Sequence, residues 1–93
     1  MRKLIANVRV SDGPRNEKTL RVFTNQDEGT VSYSLVSDNG TSFSISNMQC
    51  GWRGPLLPDN IYEYKDNKAL LNKIVEAVNG GVYKVIEKKL FVN

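Results

Sequence analysis

The hydrophobic period of this chain changes once, and that change constrains the fold more than any other feature. Between residues 4 and 48, apolar side chains alternate with polar ones in four separate stretches. Further on, Leu70, Leu71, Ile74, Val75 and Val78 recur at three- and four-residue spacing instead. Period two places every second side chain on one face of a strand, whereas period 3.6 places a stripe along one side of a helix. Strands that each expose one apolar face, followed by a single amphipathic helix, bury that surface best as a sheet packed against the helix.

The first stretch sets Leu4, Ala6, Val8 and Val10 against Lys3, Ile5, Asn7 and Arg9. A turn-rich run, Ser11-Asp12-Gly13-Pro14-Arg15-Asn16, ends it. A second strand is expected over residues 19–24, with Leu20 and Val22 on one face and Arg21 and Phe23 on the other. The third covers residues 30–37, with Val31, Tyr33 and Leu35 opposite Ser32 and Ser34. Asp38-Asn39-Gly40 then signals a hairpin, because Asn and Gly accept the positive φ of a tight type I′ turn. The fourth strand is expected over residues 41–48, with Phe43 and Ile45 inward. The alternating serines of strands three and four suggest a small, uncharged, flat sheet face.

Asp66 is positioned to cap the helix, and Asn79-Gly80-Gly81 to end it through a left-handed glycine. Residues 61–64 read as a short extended piece. Residues 82–92, rich in Val, Ile, Tyr and Phe, read as a last strand. Its Glu87-Lys88-Lys89 centre suits an exposed edge. The expected fold class is therefore α+β. One domain over residues 1–93 holds a mostly antiparallel sheet of four to five strands on one helix, in the order β-β-β-β-loop-α-β.

The chemistry on offer is limited. The 93 residues include no His, which removes the commonest neutral-pH base and metal ligand. The single Cys makes neither an internal disulfide nor a ligand pair. There is no Walker A run and no Gly-x-Gly-x-x-Gly. No cofactor or metal is expected, and no catalytic residues are assigned. Asp59 and Glu63, with Tyr62 or Tyr64, are the one group to weigh for acid–base work, and capping and solvation explain them as well. No apolar run is long enough for a membrane span and no leader pattern opens the chain, so a cytoplasmic location is expected.

Charge is segregated. Residues 1–21 hold six cations and two carboxylates, residues 22–64 one cation and five carboxylates, and residues 65–93 six cations and three carboxylates. If the two ends pair in one sheet, the basic segments come together.

Gly51-Trp52-Arg53-Gly54 follows the fourth strand and contains the only Trp. Trp and Arg are enriched at binding hot spots, and flanking glycines allow close backbone approach. Trp52 and Arg53, with Leu56, Leu57 and Tyr62, are candidates for protein contact or base stacking. Folding back to plug a small core explains the same residues. Arg9, Arg21, Phe23, Lys84 and Lys88 are candidates for nucleic-acid contact through a cationic surface with aromatics.

These features point to a non-enzymatic binding module that engages another protein as an inhibitor or adaptor and is able to self-associate. Small phage or mobile-element proteins that block host factors share this size and composition, an analogy of character only. The alternative is a binder of single-stranded nucleic acid or a nucleotide, using the basic ends and the sheet aromatics.

Overall fold

The computed structural model describes residues 1–14, 17–37, 40, 42–45 and 56–92, with residues 42–45 described by their backbone alone. Strands β1 (Arg2–Ser11), β2 (Glu17–Asn25), β3 (Thr30–Ser37) and β4 (Ser42–Ile45) precede helix α1 (Asn67–Asn79) and strand β5 (Lys84–Leu90). The sheet order is β4-β3-β2-β1-β5, and every neighbouring pair is antiparallel. The two ends of the chain thus meet as β1 and β5. The α+β architecture and the element order are those expected.

One face of the sheet is the core. Ala6, Val8, Val10, Leu20, Val22, Tyr33 and Leu35 are buried together with Leu70, Leu71, Ile74 and Val78 of α1. The registers place Val8 beside Leu20 and Leu20 beside Leu35, so the strands present one continuous apolar surface to the helix. Tyr83, just before β5, completes this layer and is fully buried.

Strict alternation fails at Ile5. Leu4 pairs with Phe23 and Ala6 with Val22, so Ile5 is an extra residue on β1. Such a bulge shifts the side-chain parity of everything before it. Ile5 is buried in the core beside Ala6, and its carbonyl accepts the Phe91 amide at 2.7 Å. Leu4 and Arg2 consequently fall on the face away from the helix, correcting the expectation that Leu4 lines up with Ala6. Ile86 is a second extra residue, on β5, where Arg9 pairs with Glu87 and Val10 with Val85.

Helix α1 starts where its cap predicts. Asp66 is extended, and its carboxylate accepts the Ala69 amide at 2.8 Å. Its end differs from expectation. Gly80 has φ −78°, a right-handed value, and its amide donates back to the Glu76 and Ala77 carbonyls. Neither Gly80 nor Gly81 is left-handed, and the side chain of Asn79 accepts the Val85 amide at 3.0 Å. This clamps the last turn directly to the start of β5.

Residues 61–63 are also a correction. They form one 3-10 turn instead of an extended piece, and the Asn60 side chain accepts the Tyr62 amide at 2.9 Å. The approach to this turn occupies part of the outer edge of β3. Strand β4 pairs with residues 33–36, with Ile45 opposite Tyr33. Lower on the same edge, Asn60 bridges Thr30, the Val31 amide donates to Asp59 O at 3.0 Å, and the Ile61 amide donates to Gly29 O at 3.1 Å.

Gly29 makes this arrangement sterically possible. Its φ is +68°, and a Cβ there would overlap the Tyr62 ring. Gly29→Ala is expected to cost about 1–2 kcal/mol for the left-handed backbone alone, read as a lower urea midpoint at unchanged m-value. Adding Tyr62→Ala should recover only the overlap. An unchanged midpoint in the single variant would show that this turn holds no strain.

Candidate functional site

The face of the sheet turned away from α1 is built from the alternate residues of each strand. Cross-strand partners share a face, so the registers place Lys89, Asn7, Arg21 and Ser34 in one row across four strands. A neighbouring row runs Glu87, Arg9, Thr19, Val36, and another runs Leu4, Phe23, Ser32. The serines expected to form an uncharged face therefore sit next to Arg21 and Phe23.

The arginines of this face behave differently. Arg9 is neutralised, with Nη2 at 2.8 Å from Glu17 Oε1 and Nη1 at 3.6 Å from Glu87 Oε2. Arg2 and Arg21 pair with no carboxylate among the described residues. Both lie against one aromatic ring: the Arg2 guanidinium carbon is 3.8 Å and that of Arg21 5.6 Å from the Phe23 centroid. Phe23 is 8% exposed. Its ring lies against both guanidiniums.

Of the five residues singled out for nucleic-acid contact, Arg9, Arg21, Phe23 and Lys84 share this open face. Lys84 is opposite Ser11, whereas Lys88 is opposite Val8, on the helix side of the register. Arg2 and Lys89 belong to the open face and were not singled out. Arg2 is hidden from a period-two reading because the Ile5 bulge reverses its parity. Lys89 was legible from its strand position opposite Asn7, had the register been known.

The second feature is an edge. Strand β5 ends the sheet, and among the described residues no strand pairs with its outer side. Val82, Ile86 and Phe91 are exposed along it. Beside its first residues an open groove of about 710 Å³ is lined by Ser11, Asp12, Pro14, Val82, Lys84 and Ile86.

The candidate contact residues after β4 separate. Leu57 is 7% exposed and joins the core, while Leu56 is 75% exposed. Tyr62 is exposed too, with its ring on Gly29 and its hydroxyl donating to Gln26 O at 3.3 Å. Trp52 and Arg53 lie outside the described residues. Asp59 and Glu63 are exposed. Burial, then the nearby Glu63, pushes the Tyr64 phenol up, away from the ionisation a base needs. Among the described residues no helix is long and apolar enough to cross a membrane. Compared with known protein families, with curated proteins and with solved structures, the chain matches none.

Proposed function

We propose that this protein is a non-catalytic interaction module whose partner is another protein, taken as an extended strand along the free edge of β5. The observation that carries this reading is the coincidence of an edge unpaired among the described residues, exposed Val82 and Ile86, and the adjacent groove. An open edge offers main-chain donors and acceptors, and a neighbouring pocket selects alternate side chains of the added strand. Lys84, Lys88 and Lys89 outnumber Glu87 on this strand, which favours a partner segment that alternates apolar and acidic residues. An inhibitor or adaptor role in the cytoplasm, of the kind small phage proteins carry out, fits such a module. The same edge is open to a second copy of the chain.

The test is capture of partners from lysate at about 0.5 M salt, where exposed charge attraction is largely screened. The wild type should retain a partner that the Val82→Lys, Ile86→Lys double variant loses. Hydrogen exchange in the purified complex should slow at β5 amides. Equal capture by both proteins, or protection confined to another element, would overturn the reading.

A further inference from the structure

We infer that the open face carries a second site, for the phosphates of single-stranded nucleic acid, centred on Arg2 and Arg21. It rests on a different observation from the β5 edge reading, with which it shares Lys89. Two guanidiniums are held on one Phe23 ring, at 3.8 and 5.6 Å from its centroid, with no carboxylate partner among the described residues. The register sets Arg2 beside Asn25 and places Arg21 four residues before Asn25 on β2, with Phe23 between them, so each guanidinium is available to a separate phosphate. The stack also fixes each planar fork before any ligand arrives, so little side-chain freedom is lost on binding phosphate.

The site is longer than one phosphate. Lys89, Asn7, Arg21 and Ser34 form a cross-strand row without a carboxylate. At about 4.8 Å per strand the row spans roughly 14 Å, which suits a polymer more than a free ion. Thr19 and Ser32, both half-buried, offer uncharged donors and acceptors beside it, whereas Ser34 is 8% exposed and Asn7 Oδ1 is buried. Phe91, 44% exposed with the Lys89 ammonium 5.5 Å from its ring, offers a stacking surface at the end of the row. A sheet face of this kind receives splayed, unpaired bases, whereas duplex readout requires an element that enters a groove.

The experiment is anisotropy titration of a labelled oligothymidylate of about 12 nucleotides at about 50 mM salt. Arg21→Glu and Arg2→Glu should each weaken binding at least tenfold. Lys68→Glu, an equal charge change on the exposed side of α1, should weaken it less than threefold. Arg21→Gln should weaken it in the same direction without charge reversal, and its unchanged thermal midpoint would exclude loss of fold. With three phosphates neutralised by Arg2, Arg21 and Lys89, log affinity should fall with log salt at a slope of about −2. The Val82→Lys, Ile86→Lys variant should retain the arginine dependence, which separates this site from the strand-pairing edge.

No binding at low salt would overturn the inference. So would equal losses in Lys68→Glu and Arg21→Glu, which would mean diffuse attraction. Affinity independent of oligonucleotide length, with displacement by low-millimolar inorganic phosphate, would mark a single-anion pocket and overturn the polymer site.

Discussion

Ile74→Ala is expected to lower the unfolding free energy by about 2–5 kcal/mol, the range for deleting a fully buried aliphatic side chain. Ile74 is 0% exposed at the middle of α1. It belongs to the same buried cluster as Val8, Leu20 and Leu35. No second helix is present among the described residues to collapse into the space. A domain of this length has about 5–15 kcal/mol in total, so the loss would consume a large part of it. Urea unfolding at neutral pH measures the effect. Lys73→Ala, one residue away on the exposed side, should stay within about 0.5 kcal/mol. A loss under about 1 kcal/mol for Ile74→Ala would show that the helix re-seats on the sheet.

Stability should also fall in alkali, and Tyr33 sets where. Its ring is in the core, and its hydroxyl donates to Pro58 O at 2.5 Å. Burial pushes its phenol far above the ordinary 10.0, with the nearby Tyr64 and Asp59 adding to the shift. Above pH 10 the unfolded chain ionises this tyrosine while the folded chain keeps the proton. The folded state then binds more protons, so stability decreases as pH rises, by about 1.4 kcal/mol per pH unit from this group. Below pH 10 the group contributes no slope. Tyr33→Phe should be less stable at neutral pH by about 1–2 kcal/mol, since it strands the Pro58 carbonyl. It should also show a shallower alkaline decline. Parallel declines in the two proteins would assign the alkaline loss to other groups.

The fold was legible wherever local chemistry agrees with the tertiary result. The Val31, Tyr33, Leu35 alternation marks β3, and the Asp66 cap with the Leu70–Val78 spacing marks α1. Both depend on periodicity and on a nearby side chain meeting an orphan amide. The Ile5 bulge was not legible, because Ile5 is as apolar as its neighbours and only pairing with β2 reveals the extra residue. The contact at the helix end was hidden for a similar reason. Asn79 finds its amide on Val85, a contact that exists only after β5 has folded back. The site suffered most from these gaps. Arg21 and Phe23 were placed on one face by simple alternation, but Arg2 reached the same ring only through the bulge. Leu56 and Leu57 separate because one backbone step turns the side chain from core to solvent, and neighbouring leucines carry no sign of which turns in.

The shared outer edge of β3 has a consequence for how this protein accommodates change. Ile45 is held opposite Tyr33 and Asn60 opposite Thr30. The chain therefore leaves β3 at residue 45 and returns at residue 60 only about 10 Å farther along the same strand. Both anchor points belong to the framework, so residues 46–59 enter and leave through a fixed gate. Closure entropy grows only with the logarithm of length, about 0.6 kcal/mol per doubling. Leu57 in the core, Pro58 O on the Tyr33 hydroxyl and Asp59 O on the Val31 amide fix the last residues before the return, so the framework is sensitive to change there. A change of chain length at residues 57–59 would therefore displace the β3 edge itself, and not only the chain that leads to it.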